Sequence, residues 1–340
     1  MKICVIGVGA VGGVLVANWA QAGVELSLIE REPFLSAIRE RGLRMIGPEG
    51  ECVEARPHCV GDSRELPTQD FVFVCVKTYD IPAATKTIIP LLGERTRVIF
   101  VQNGIPWWYF HGLEGPWKDA SIDCLDSDGS IRAAIEPWRA IGCVTYVASR
   151  VIEPGTVQQT GDNRFDFGEP AGVVSEDCRR IVELLGKTGV DARISERIRD
   201  EIWLKLWGNL SLNPLSVLTG ATFDQMCSDP SIRSVILKMM TEAQAVAERL
   251  GARFATGKEA RIREAEKLKG FKSSMLQDLE GGRRLEIDAI IGVVSEMGRM
   301  TKLPTPMIDA MLALVRQRAR VSGGQISERL NKQKGHSTII

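Results

Sequence analysis

The glycines near the amino terminus constrain this chain more than any other feature. Ile3–Ile6 is a short apolar, β-rich run that leads directly into Gly7-x-Gly9-x-x-Gly12. An Ala/Val-rich amphipathic stretch continues to Gly23, and a second β-rich run, residues 24–29, ends in Glu30-Arg31. Strand, glycine turn, helix and strand in that order make a dinucleotide-binding βαβ unit. In such a unit Gly7 permits the tight turn, Gly9 lets backbone approach a pyrophosphate, and Gly12 lets helix pack closely on strand. The pyrophosphate then sits on the helix N-terminus, where free N–H groups and the macrodipole favour an anion. Spaced glycines alone say little; a flanking strand and helix, with an acid about 20 positions on, make the pattern specific.

At 340 residues the chain is long enough for two domains with sizeable cores. Its 43 Lys and Arg balance 43 Asp and Glu, so charge gives no case for nucleic acid or an anionic membrane surface as partner. No apolar run reaches the roughly 18 residues of a membrane span. The first apolar run, broken by the glycine turn, does not read as a signal peptide. Eight cysteines, at 4, 52, 59, 75, 124, 143, 178 and 227, form no CxxC and no Cys/His set at metal-ligand spacing, so no metal is expected. Cys4 and Cys75 fall within apparent core strands and read as small hydrophobes. This usage suits a reducing cytoplasm.

Further along, residues 71–76 and 98–101 are apolar, β-rich runs of the kind buried on both faces. Residues 81–92 between them carry helical periodicity. Strand alternating with helix predicts a doubly wound parallel sheet. Ligands bind such sheets outside the carboxyl ends of the strands, which places Lys77 and Asn103 where both could face a cofactor. Residues 105–140 read as an irregular insertion rich in turn signals, and 142–151 and 157–168 as two more strands. From residue 196 helical patterns take over, at 196–212, 229–250, 256–268, 283–301 and 305–320. The expected organisation is therefore a Rossmann-type α/β domain over 1–195, an all-helical domain over 196–322, and a loosely held tail over 323–340.

The chemistry gathers in the helical part. Lys205, Asn209 and Asn213 are spaced i, i+4, i+8, so on a helix they line one stripe. Trp203, Leu206, Trp207 and Leu210 supply apolar surface beside it. A solvated face would make the same stripe, but such a face prefers Glu, Lys and Arg to Asn, a poor helix former. A second cluster runs Lys272-Ser273-Ser274-Met275-Leu276-Gln277-Asp278. After it, Gly281-Gly282 predicts a turn into a helix with Glu286 and Asp288 in its first turns, where negative charge is favourable on structural grounds alone.

These pieces together resemble one family. The glycine start, a Lys after the third strand, Gln-Asn-Gly after the next, KxxxNxxxN followed by Pro, and SSMxQD with EID twelve residues past Ser274 are similar to the ketopantoate (2-dehydropantoate 2-) reductases. These are relatives of the 6-phosphogluconate dehydrogenase group. The likeness runs from Met1 to about residue 320. It implies a Rossmann domain followed by a helical domain, an active site in the cleft between them, and NADPH-dependent reduction of 2-dehydropantoate to (R)-pantoate on the route to coenzyme A. Carried over by position, it makes Lys205 the general acid and Glu286 a carboxylate that orients the lysine and the substrate hydroxyl. Asn209, Asn213 and Ser274 become substrate-holding groups. Asn103 and Lys77 fall near the nicotinamide end and the cofactor phosphates or ribose, and Arg31 reads the 2′-phosphate. A positioned ammonium can both stabilise and protonate the oxygen left when hydride reaches a ketone carbon. The three histidines, His58, His111 and His336, sit in no such motif.

Two features depart from the pattern. Glu30 stands where the family has a small neutral residue, and an acid there normally binds the ribose 2′-OH of NAD, so NADH stays open beside NADPH. The Trp-rich 105–140 insertion and residues 147–156 also differ, which admits a reshaped pocket and another branched 2-oxo acid. Two other readings remain: a paralogous reductase of a different 2-oxo or imino acid, and a non-catalytic nucleotide-binding redox sensor. The sensor should lack one of Lys205, Asn209, Asn213 or Glu286, and all four are present. A homodimer is the expected assembly, two-fold dimers being commonest.

Overall fold

Ile3–Ile6 (β1) is buried along its whole length, as expected of a strand covered on both faces. In the computed structural model, which describes residues 1–323, β1 lies inside a ten-stranded sheet. The chain divides into two compact units, Met1–Ile202 and the residues from Trp203 onward, and the sheet belongs to the first. Its other strands are Leu26–Ile29 (β2), Leu43–Ile46 (β3), Cys52–Ala55 (β4), His58–Val60 (β5) and Gln69–Val74 (β6), then Leu92–Phe100 (β7), Ala140–Glu153 (β8), Thr156–Gly168 (β9) and Asp191–Ile194 (β10). They lie in the order β4-β3-β9-β8-β7-β6-β1-β2-β5, with β10 on β9. Neighbours from β8 to β5 run parallel. The β8–β9 and β3–β4 pairs are antiparallel, so the sheet is mixed where purely parallel pairing was expected.

Ala10–Gln21 (α1) explains the extra strands. Its residues from Gly12 to Trp19 are all buried, because the sheet curls until β3, β4, β8 and β9 pack on the helix as well as β1. A Cβ on Gly13 would stand 2.6 Å from Val157 Cγ1 on β9, so the helix meets that strand nearly backbone to side chain. A helix enclosed all round is apolar all round. The one polar side chain in its buried stretch, Asn18, donates to its own helix at Val14 O (2.7 Å). The unit also contains Phe34–Arg41 (α2), Ile81–Ile88 (α3), Asp123–Asp126 (α4), Ser130–Ala134 (α5) and Glu176–Gly186 (α6).

The segment expected to be an irregular insertion, residues 105–140, opens on a packed aromatic stretch and continues in turns and short helices with many exposed side chains. Trp107, Trp108, Tyr109 and Phe110 are all buried. Arg199 fastens the segment, donating to the backbone carbonyls of Tyr109 (2.8 Å), His111 (2.6 Å) and Pro170 (2.5 Å). Trp107 and Trp108 thus pack into the first unit, whereas Trp138 of the same segment is 44% exposed.

Beyond α6 the chain is helical but for β10. Ile198–Thr219 (α7), Phe223–Ser228 (α8), Pro230–Arg249 (α9), Lys258–Glu266 (α10), Ser274–Glu280 (α11), Val293–Thr301 (α12) and Pro306–Val321 (α13) follow in order. The pattern over 196–212 stops short of the observed helix, because α7 runs straight through Pro214. An internal proline costs about 3 kcal/mol, and burial of every residue from Leu210 to Val217 offsets it. The helix expected from 283 begins only at 287, since Gly282 adopts φ +64° and the chain stays non-helical to Glu286. Among the described residues no helix is long and apolar enough to cross a membrane. The expected tail, beyond Gly323, lies outside the described residues.

Candidate active site

Each glycine of the loop before α1 has a separate reason to be there. Gly7 adopts φ +87°, and a Cβ on it would press into Val76 at 2.8 Å. A Cβ on Gly12 would lie 2.2 Å from Gly7 O, so no side chain is possible where helix meets turn. A Cβ on Gly9 would meet nothing within 4 Å: here the open side of the loop is the feature. Gly9 is also the extended N-cap of α1, no acidic residue stands in the first turn, and no side chain caps it. Open space over the first N–H groups of α1 fits a dinucleotide pyrophosphate.

The strand ends beside the loop are level. Ile6 pairs with Ile29 and with Val74, and Val74 pairs with Phe100. The residues that follow therefore share one edge: the glycine loop, Glu30-Arg31, Lys77 and Asn103. Gln102 ties this edge together by donating from Nε2 to Val74 O (2.9 Å) and Val76 O (3.1 Å). Lys77 precedes a single 3₁₀ turn, Thr78–Asp80, and Asn103 precedes Gly104 at φ +87°. Glu30 turns inward. One carboxylate oxygen accepts the Val8 N–H of the glycine loop and the other accepts the Arg31 N–H at 3.0 Å. Burial pushes its carboxyl above the ordinary glutamate range, against the pull of those two N–H groups and of the Arg31 charge. The Arg31 side chain is exposed.

In the second unit Lys205, Asn209 and Asn213 lie on α7 at the predicted spacing. Lys205 and Asn209 are half-buried, and Asn213 is 2% exposed. Trp203, Leu206, Trp207 and Leu210 are buried beside them. Trp207 fixes the rotation of the helix: its Nε1 donates to Met240 O on α9 at 2.8 Å, and its ring stacks on Phe254 at 4.0 Å. The side-chain amides of Asn209 and Asn213 make no hydrogen bond among the described residues.

The paired serines divide their work. Ser273 is buried and caps α11 by accepting the Leu276 N–H (3.0 Å). Its hydroxyl also meets that of Ser216, which in turn donates to Asn213 O (2.7 Å). The start of α11 is thus bolted to α7 at Asn213, while Ser274, the residue the motif singles out, is exposed at the first helical position. An N-cap reading of Ser-x-x before an apolar run would have found Ser273. Asp278 accepts from Arg283 Nε at 2.8 Å and its carbonyl accepts the Arg283 N–H, closing the Gly281-Gly282 turn. That turn delivers Glu286, 6% exposed, one residue before the helix. The next turn, Asp288–Gly292, is a π-helix, an irregularity frequent at functional sites. Asp288 holds it to α13 through Arg316 Nη2 (2.8 Å).

The model of the family "Ketopantoate reductase PanE/ApbA" matches residues 3–172, and that of its C-terminal part matches residues 197–319. The chain belongs to the ketopantoate reductase family. It is 45% identical over 320 residues to a 2-dehydropantoate 2-reductase of Mesorhizobium japonicum, covering 94% of this chain and 98% of that protein. A solved structure from Ralstonia solanacearum assigned to the ketopantoate reductases superposes with TM-score 0.91 at 38% identity, over 95% of this chain and 99% of that one. A D-mandelate dehydrogenase solved with NADH and anilino(oxo)acetate shares the fold (TM-score 0.82, 96% and 100% covered) at 21% identity. Ketopantoate reductases bind a nicotinamide dinucleotide, and the open glycine loop of this member suits one.

Proposed function

We propose that this member of the family reduces 2-dehydropantoate to (R)-pantoate with NADPH. The observation that carries the reading is the α7 stripe: an ammonium and two uncommitted amides in helical register, one of the amides almost wholly buried. A side-chain amide offers both a donor and an acceptor, and a hydroxy-oxo acid supplies partners for each. When bound, the cofactor supplies hydride to the carbonyl carbon. Lys205 Nζ stabilises the charge that develops on the carbonyl oxygen and gives it a proton. Glu286 orients Lys205 and accepts from the substrate hydroxyl, while Asn209, Asn213 and the exposed Ser274 hold the rest of the acid. Gly7, Gly9 and Gly12 receive the pyrophosphate, with Lys77 and Asn103 along the same strand edge.

Glu30 bears on the choice of cofactor. Its two oxygens already brace the loop through Val8 and Arg31, so we read it as a structural acceptor. Arg31 is left to meet a 2′-phosphate, which supports NADPH over NADH. A cytoplasmic homodimer is the expected form. The test is steady-state oxidation of NADPH and NADH by the purified protein with 2-dehydropantoate. We expect kcat/KM above about 10⁴ M⁻¹s⁻¹ with NADPH, the lower end for a working enzyme. Tight NADPH binding without turnover would discard the substrate.

A further inference from the structure

Ser216 on α7 and Ser273 at the start of α11 are 0% and 1% exposed, and their hydroxyls are in hydrogen-bond contact. The direction of each proton in the group follows from its two ends. The Leu276 N–H can only donate, and it donates to Ser273 Oγ at 3.0 Å. The Asn213 carbonyl can only accept, and it accepts the single hydroxyl proton of Ser216 at 2.7 Å. Between the serines, therefore, Ser273 donates and Ser216 accepts. Leu276, Ser273, Ser216 and Asn213 form one directed chain of bonds from the first turn of α11 to α7, and neither hydroxyl proton is left over. Pro214 lies inside α7 at this point and has no N–H to give, so the turn that carries Asn213 has one backbone bond fewer than a regular turn. Around α11, Lys272 bonds Glu280, Gln277 bonds the Lys272 carbonyl and Arg283 bonds Asp278, all within residues 272–283. The serine pair reaches out of that segment to α7.

We infer that Ser216 is a positioning residue for the substrate, setting the place of Ser274 on α11 relative to Asn213 on α7. The inference rests on the reading of the chain as a 2-oxo acid reductase in which those two residues help to hold the acid. Asn213 ends the chain of bonds with its own carbonyl, and Ser274 is the neighbour of Ser273. Each holder is thus attached to one half of the serine pair, and a shift at the hydroxyl contact moves one holder against the other. Sites built on side chains need their supporting groups locked in this way. A displacement of about 1 Å at a distance from the chemistry can lower the rate about 10²-fold. Ser216 is sealed from solvent and so does not meet the substrate itself. Its effect is on geometry alone.

The test measures KM and kcat for 2-dehydropantoate, the NADPH dissociation constant and Tm in wild type and four variants: Ser216→Ala, Ser273→Ala, the two combined, and Ser211→Ala. Ser211 is the matched control, since it is on the same helix, is 0% exposed and donates to that helix at Trp207 O (2.7 Å). Ser216→Ala keeps the Ser273 cap of α11 and cuts the link to α7. It should raise KM at least about tenfold, with kcat and NADPH affinity within about threefold of wild type. Ser211→Ala should lower Tm by a similar amount and leave KM within about twofold. The KM of the combined variant should fall well short of the product of the single effects, because either change alone already breaks the contact. Equal changes in KM for Ser216→Ala and Ser211→Ala would reduce Ser216 to a packing residue and overturn the proposal. An unchanged KM in Ser216→Ala, or single effects that simply multiply, would overturn it too. Ser216→Cys, close in shape but a weaker donor and acceptor, is read in place of Ser216→Ala if that variant does not fold. Should the wild type pass over 2-dehydropantoate but reduce another 2-oxo acid, the substrate assignment fails, and the same comparison with that acid decides the role of Ser216. A chain that reduces no 2-oxo acid overturns both.

Discussion

Around Gly7, Gly9 and Gly12 the backbone is what a ligand meets, whereas along α7 the backbone is sealed by its own helix and the side chains do the meeting. The first arrangement excludes side chains by geometry: a Cβ on Gly12 would overlap Gly7 O. The second selects side chains by chemistry, with Lys205, Asn209 and Asn213 in register and Trp207 fixing which way they face. Backbone sites leave one residue type possible, so they tolerate almost nothing. Side-chain sites fold with many residue types and work with few. Mutations in the two regions should therefore fail in different ways.

The sharpest separation is expected at Lys205. Lys205→Ala should lower kcat by about 10²-fold or more, the usual share of a general acid, while the dissociation constant for NADPH and the Tm hardly change. Near-normal turnover would remove the lysine from its role. Gly12→Ala should do the reverse. Forcing a methyl group against Gly7 O costs about 1–3 kcal/mol, so Tm should drop and NADPH affinity weaken roughly tenfold, with kcat at saturation largely kept. If kcat alone fell, the contrast between the regions would collapse.

Smaller effects sharpen the picture at the strand edge. Arg31→Ala should weaken NADPH by about tenfold, the worth of one charge-assisted hydrogen bond of roughly 1.5 kcal/mol, and leave NADH nearly unchanged. Equal effects on the two would take Arg31 away from the phosphate. Glu30 gives a pH signature. Burial raises its folded pKa above the ordinary 4.5, so the folded state holds the proton that the unfolded chain releases first. Its contribution to stability therefore declines as pH climbs upward from about 4.5 through the folded value. Glu30→Gln should thus gain in Tm relative to wild type between about pH 4 and pH 7, read from melts across that range. A pH-independent difference would mean that the charge carries no cost.

How much of this was legible beforehand follows the same division. The glycine loop could be read directly, because a positive φ and a close approach map onto one residue type. The α7 stripe was visible as a period of four, but a period does not say what the face meets. Roles for Lys205 and Glu286 came from family likeness. Ser274 was picked out ahead of Ser273, although the buried hydroxyl that binds α11 to α7 belongs to Ser273. Trp107 and Trp108 were read as part of an irregular insertion, since irregular chain has no periodicity to announce burial. Arg199, ninety residues away, ties the backbone at Tyr109 into the first unit.

The enclosure of α1 has a consequence for how the molecule comes into being. The helix that follows the glycine loop is sheathed by β8 and β9, whose residues lie more than a hundred positions downstream. The first hundred residues thus contain the whole nucleotide motif but only part of the wall around its helix, that of β1, β3 and β4. A fragment ending before Ala140 would expose the apolar flank of α1, and a ribosome must deliver β9 before the loop has a rigid seat. The motif that is easiest to see in the sequence is, as a physical object, among the last parts of its unit to be finished.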